Sequence, residues 1–440
     1  MEENKNQSKT DFMKETIKQR PLNRRKLFRR TIITAAMAVI FGTVACLTFL
    51  VLEPVISNRL HPEEEPQPVV FPEEGEEEIL PEDMIANEAE MYPEPTPQPV
   101  VLEDEQIEQV LSEMQLGVPD YLSLSASISQ LARELQKSMV TVVGVTSDVD
   151  WFNNAYENEG VVSGVIVADN GKELLVLANI NSLKEADSLR VTFSDKKEYR
   201  AEIKKKDYHT GLAILSVGKT FINNDTLQTI TPITLGSSAS NTLTGSPVLA
   251  LGSPIGTEGS VCIGNITSTG TGINLPDSVY KQITTDIYGS KSASGVLVNL
   301  RGHVVGIIDM SYNNADMGNL ISAIGITELK KTIESLSNDK DIPYLGVRGT
   351  DVTKDANEEL GVPFGAYIKT IDMDSPAMNA GIQSGDVIVR MQEEEILSYA
   401  DLTNKLLLKE PEEPVTIGLM RQGPDGYTEM EITVILEIKE

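Results

Sequence analysis

The chain has 440 residues, 40% of them apolar, with 37 Lys plus Arg against 66 Asp plus Glu and a formal charge of −29. That length accommodates two domains, and the acidity sets aside nucleic-acid binding, which needs a basic face. With only Cys46 and Cys262 present, no disulfide framework can hold the fold, so stability must come from buried apolar surface.

The charge is uneven along the chain. Residues 1–30 hold ten Lys/Arg and four Asp/Glu, about +6, which reads as a basic cytoplasmic tail. Residues 31–52, TIITAAMAVIFGTVACLTFLVL, are 22 positions without a charge. At about 1.5 Å per residue such a run spans a ~30 Å hydrocarbon core as one transmembrane helix. RRKLFRR directly before it predicts a single-pass cell-membrane protein with its N-terminus inside and everything later outside. The following VLEPVISNRL offers no small-x-small cleavage site, so the anchor is expected to stay attached.

Residues 53–122 are rich in Glu and Pro (HPEEEPQPVVFPEEGEEEILPED), and like charges with frequent Pro predict an extended, solvated stalk. Residues 123–338 then read as one domain. SISQLARELQK has helical spacing and leads into the strand MVTVVGV. VVSGVIVADNGKELLVLAN is a hairpin turning at Asp169-Asn170-Gly171. LRVTF, EYRAEI, LAILSV, PVLALGS and SVCIGNITST follow as short strands, then the small-residue loop 289–295, the strand VLVN and its partner VVGII. Many short strands separated by Gly, Asn, Asp and Ser predict an all-β double barrel, closed by the helix TELKKTIESLS. Residues 342–438 carry YLGVRG, GAYIKTID, SPAMNAGIQSGDVIVRM, a helix near Ser398–Leu408 and a last hairpin, which makes a small α+β module.

These motifs resemble the HtrA/DegP-type proteins over about Ser127–Leu436. VLALGSPIGTEGSVCIGNITS is similar to that family's Leu-Ala-Ile-Gly-Asn-Pro-x-Gly run, and ITTDIYGSKSASGVLVN to its Thr-Asp-Ala followed by Gly-Asn-Ser-Gly-Gly-Pro-Leu-Val-Asn. YLGV with SPAMNAGIQSGDVIV resembles its PDZ domain. The resemblance implies a mainly β fold: a trypsin-like double β-barrel followed by a small α+β PDZ domain, behind the N-terminal helix. It also implies a homotrimer or association with active relatives.

The departures concern chemistry. Where the family carries Thr-Asn-x-His this chain reads LANINSL, so Asn181 falls on the His position; HTGLAIL puts Gly211 on the Asp position. The nucleophile loop is one residue short, leaving Ala293 or Ser294 on the Ser position. A serine hydroxyl needs a base within hydrogen-bond reach, and an amide does not titrate. In subtilisin, loss of the triad His costs about 10⁶ in kcat. Two rescues stay open, His209 as a displaced base for Ser294 and Lys291 paired with Ser292 or Ser294. GSKS lacks the spacing of a phosphate loop, no cluster has metal-ligand spacing, and no cofactor is expected.

A PDZ module adds an extended peptide to a sheet edge and holds its terminal carboxylate on backbone N–H groups. The resemblance assigns that loop to Tyr344, Leu345, Gly346 and Val347, and the helix beyond Ser398 offers Leu402, Lys405 and Leu406 as the opposite wall. The resulting expectation is a membrane-anchored, extracytoplasmic HtrA-like pseudoprotease binding protein C-termini or unfolded envelope proteins as chaperone, adaptor or regulator. Alternatives are an active serine endopeptidase of envelope quality control using Ser294, and an assembly piece without peptide capture.

Overall fold

The structure is a computed structural model describing residues 28–29, 32–44, 46, 48, 66–72, 117–149, 155–183, 186–239, 242–424 and 426–438. It divides into two units, residues 1–65 and 66–440. In the first, residues 32–44 are helical and exposed. Among the described residues no helix is long and apolar enough to cross a membrane; the remainder of the expected 31–52 anchor, apart from Cys46 and Thr48, lies outside them, as do the basic tail 1–27 and most of the 53–122 stretch.

The second unit begins with a correction to the solvated stalk. Residues 66–72 lie against folded chain: Val69 is buried, and its N–H and C=O bond the Asn338 side chain at 2.8 and 2.7 Å. An apolar pair, Val69 with Phe71, inside an acidic sequence supplies the anchor. Helix α1, Val118–Leu135, starts nine residues before Ser127. Its entry is a Gly117–Asp120 cap, with Gly117 N–H donating to Asp120 Oδ2 at 2.8 Å.

Strands β1 (Met139–Val149), β2 (Ala155–Asp169), β3 (Glu173–Asn179), β4 (Ser188–Thr192), β5 (Glu198–Lys206) and β6 (Leu212–Gly218) form a closed barrel in the order β1-β2-β3-β6-β5-β4. A second sheet takes β7 (Thr234–Leu235), β8 (Pro247–Ser253), β9 (Ser260–Leu275), β10 (Ser278–Tyr288), β11 (Ser294–Asn299), β12 (His303–Ile308) and β13 (Leu320–Gly325). Its order is β11-β8-β9-β10-β13-β12-β7, and a β11–β12 pairing closes the ring. The short helix α2 (Asn224–Thr229) connects the barrels.

Strand β3 explains why its sequence is apolar without alternation. Leu174 and Val176 point into the first barrel, while Leu175 and Leu177 enter a separate core shared with Leu249, Leu251, Val296 and Val298 of the second. A strand buried on both faces has no polar positions to alternate with. Helix α3, Ile326–Ser337, seals that shared core with Ile326, Leu329, Ile333 and Leu336, spaced for one helix face.

The C-terminal module contains β14 (Pro343–Tyr344), β15 (Val347–Asp351), β16 (Ala366–Ile371), β17 (Val387–Met391), β18 (Glu394–Glu395), β19 (Pro414–Gly423), β20 (Gly426–Ile435) and β21 (Glu437–Ile438). The sheet runs β15-β16-β17-β19-β20, which leaves β15 at an edge. Helices α5 (Pro376–Ala380) and α6 (Tyr399–Leu406) pack on it, while α4 (Lys354–Leu360) buries none of its residues. SPAMNAG encodes α5 outright: the Ser375 side chain accepts the Met378 N–H, Pro376 opens the helix, and Gly381 at φ 88° ends it.

Candidate functional site

The end of β3 and the β5–β6 loop meet at the mouth between the barrels. Asn181 Nδ2 donates to the Thr210 carbonyl at 3.1 Å, and its backbone N–H donates to Asn179 Oδ1 at 3.1 Å. Gly211 stands beside it at φ 77°, and a Cβ there would come within 1.9 Å of Asn181 Nδ2. The structure thus brings together the two positions assigned to base and orienting acid. What meets there is an amide against a bare backbone.

Ser294 opens β11, and its Oγ accepts the backbone N–H of Ser163 on β2 at 2.9 Å, which sets the hydroxyl in the seam between the barrels. Ala293 packs instead against the second-barrel core. Of the two candidates for the nucleophile position, Ser294 is therefore the one that presents an oxygen to the seam.

A small cavity there is lined by Ser163, Asn179 and Ser294 among others. Asn179 was not singled out from sequence. Its Nδ2 donates to Asp309 Oδ2 at 3.1 Å, and Asp309, buried just past β12, also accepts the Ser311 N–H at 2.9 Å. The available signal was the Asn of the Thr-Asn-x-His pattern; nothing marked Asp309 at the end of VVGII.

The displaced bases go elsewhere. The His209 ring lies against Tyr344 with centroids 5.7 Å apart, so it faces the C-terminal module. Lys291 is exposed, in a loop where Ser290 and Ser292 bond each other through their hydroxyls at 2.9 Å.

In the C-terminal module, Gly346 has φ 87°, and a Cβ there would meet Ser375 Cβ at 2.3 Å, so the tight loop 344–347 requires glycine. The backbone N–H groups of Leu345, Gly346 and Val347 converge on one point, as a carboxylate cradle requires. That point holds the side chain of Asp277, from the β9–β10 turn: Oδ2 accepts from Leu345 and Gly346 at 2.8 and 2.7 Å, and Oδ1 from Val347 at 3.0 Å. Burial pushes the Asp277 carboxyl up to about 6, against the three N–H groups that favour its charge, and nearby Asp372 adds to the rise.

The opposite wall needs correction. Leu402 and Leu406 are fully buried in the module's core and expose no surface to a ligand. Their i, i+4 spacing marks the inward face of α6. Lys405 is held by Asp401 at 3.3 Å and Glu394 at 3.7 Å. The α6 residue that reaches β15 is Tyr399, whose hydroxyl donates to the Val347 carbonyl at 2.8 Å.

Comparison with known proteins agrees with this architecture. Residues 162–307 match the trypsin-like peptidase domain family, and residues 343–434 match the PDZ domain family. The chain is 32% identical over 276 residues to a probable periplasmic serine endoprotease DegP-like of Ectopseudomonas mendocina (strain ymp), covering 61% of this chain and 55% of that protein. It is 25% identical over 331 residues to serine protease Do-like HtrB of Bacillus subtilis (strain 168), covering 68% and 69%. The chain spans about half the length of the DegP-like relatives it matches. Among solved structures, the HtrA-type protease AlgW with decapeptide superposes with a TM-score of 0.52 at 22% identity, over 71% of this chain and 98% of that one. The chain thus carries a trypsin-like peptidase domain followed by one PDZ domain, the domain order that the HtrA/DegP resemblance implies.

Proposed function

We propose that this chain is an extracytoplasmic HtrA-like pseudoprotease that keeps the double barrel as a scaffold and binds peptide C-termini or unfolded envelope proteins through its PDZ domain. In this reading residues 31–52 tether it to the membrane, and it acts as chaperone, adaptor or regulator, alone as a trimer or beside active relatives. The observation that carries the proposal is the Asn181–Gly211 pair. A proton acceptor is needed within about 3 Å of the serine oxygen, and the positions that would supply and orient it hold an amide bonded to Thr210 and a glycine. The periplasmic assignment printed for the DegP-like relatives supports the extracytoplasmic placement.

The test is direct. The full-length chain should leave casein intact and should not react with a fluorophosphonate probe. Labelling that disappears in Ser294→Ala would overturn the proposal. It would establish the second reading, an active endopeptidase, which is favoured by the Ser294 hydroxyl in the seam and by the relatives' printed names. For the PDZ domain, Gly346→Trp should abolish binding of C-terminal peptides, because a side chain there collides with Ser375.

A further inference from the structure

We propose that the β9–β10 hairpin is a built-in ligand of the PDZ domain: the Asp277 carboxylate occupies the place of a peptide's terminal carboxylate, so an incoming peptide must displace it. The inference rests on the reading of the module as a peptide binder and adds how that site is regulated.

The tip of the hairpin meets each recognition element that a C-terminal peptide would use. Both Asp277 carboxylate oxygens are taken by the three N–H groups of the loop, at 2.7 to 3.0 Å. The Asp277 backbone N–H donates to the Val347 carbonyl at 2.8 Å, and Asn274 Nδ2 donates to the Gly349 carbonyl at 2.6 Å. Those two carbonyls, two residues apart on the edge strand β15, face the same way and are the acceptors that an added strand would engage. Val279 packs against the PDZ core, supplying the apolar side chain of such a ligand.

The turn itself is held under strain. Leu275 pairs with Ser278, so Pro276 and Asp277 form a two-residue connection, and Asp277 sits at φ 57°. Pro followed by a positive φ is the type II arrangement, which favours Gly or Asn at the second position and does not match the natural twist of a hairpin. An aspartate there is explained by the contacts its carboxylate makes. Asp277 is also the one positive-φ aspartate of the described residues whose side chain is almost wholly enclosed.

Because the latch is covalently part of the chain, its local concentration lies in the millimolar range, and only a peptide that binds better than that competes. Full-length wild type, Asp277→Asn and Asp277→Gly should be titrated with fluorescein-labelled decapeptides ending in Val, Leu or Phe. Each peptide is used with a free carboxylate and as the amide, and exchange of the Leu345–Val347 amides is followed in the absence of peptide. Both substitutions tolerate the positive φ, so the fold is retained.

Expected is an affinity at least about ten-fold higher in Asp277→Gly for the free carboxylates only, with faster exchange at the three amides, while Asp277→Asn, neutral and still carrying an acceptor oxygen, falls between wild type and Asp277→Gly. Equal affinity in wild type and Asp277→Gly overturns the latch. If no protein binds any peptide, the peptide-binding reading fails; the latch then stands on faster exchange in Asp277→Gly and falls if exchange is unchanged.

Discussion

Two residues decide most of the chemistry argued for this protein. Gly211 is locked in by Asn181: a methyl group added there both collides with the amide and forces an L-residue to φ 77°. Gly211→Ala should therefore destabilise the peptidase domain by about 1–3 kcal/mol, read as a lower melting temperature, whereas Asn181→Ala/Gly211→Ala should recover part of that loss. Full additivity of the two losses would contradict the packing described. Asp277 carries a pH dependence of definite sign. In the docked hairpin it sits at about 6, whereas a solvated aspartate titrates near ~3.9. Docking thus takes up a proton: that stabilisation is fully present below about pH 4 and is lost as pH rises through about 6. Of the groups around it, Asp372 is paired with Arg348 at 2.6 Å and accepts the Tyr344 hydroxyl, Tyr399 from α6 donates its hydroxyl to the Val347 carbonyl, and the His209 ring from the β5–β6 loop lies against Tyr344. Protection of the Leu345, Gly346 and Val347 amides, corrected for intrinsic exchange, should grow from pH 7 to pH 5 in wild type. It should stay flat in Asp277→Asn, and a flat wild-type profile would contradict the assignment.

At the scale of elements, β3 is where the fold is most sensitive. It supplies side chains to two cores at once and ends in the Asn179–Asn181 segment. Leu177→Ala, on the face shared by both barrels, should cost about 2–5 kcal/mol, which for a domain of this size lowers the melting temperature by about 4–20 °C. A change under a degree would mean that the two barrels do not share a core. The element forecasts that matched were those with local signals: the Asp169-Asn170-Gly171 hairpin, α6 behind its Ser398 cap, and α3 with its one apolar face. The β9–β10 hairpin reached further than its sequence suggested. INLPDS carries only Pro-Asp as a turn signal, and the strand on each side is held by pairing with its neighbour rather than by strong local preference.

At the scale of the whole second unit, two long-range clasps join segments distant in sequence. One is Asp277 on the PDZ loop. The other is the segment 66–72 on the peptidase domain, where Asn338 bonds both backbone groups of Val69 and Glu334 accepts the Phe71 N–H at 3.2 Å. Asn338→Ala leaves Val69's polar backbone groups without those partners, at about 1–3 kcal/mol. Limited proteolysis should then cut between residues 66 and 72 faster than in wild type, with the barrels intact.

By itself the sequence determined the mainly β class and the order of a peptidase-like and a PDZ domain, and it put Asn181 and Gly211 where the resemblance expects a base and an acid. Those features are written in local periodicity, turn chemistry and residue identity. Only the tertiary structure decided that the Ser294 hydroxyl reaches the seam beside Ser163, that Leu402 and Leu406 belong to the core, and that the N–H groups of the 345–347 loop already hold the Asp277 carboxylate. Each of these depends on which distant strand lies opposite, a matter of packing between segments tens to hundreds of residues apart that no local pattern encodes.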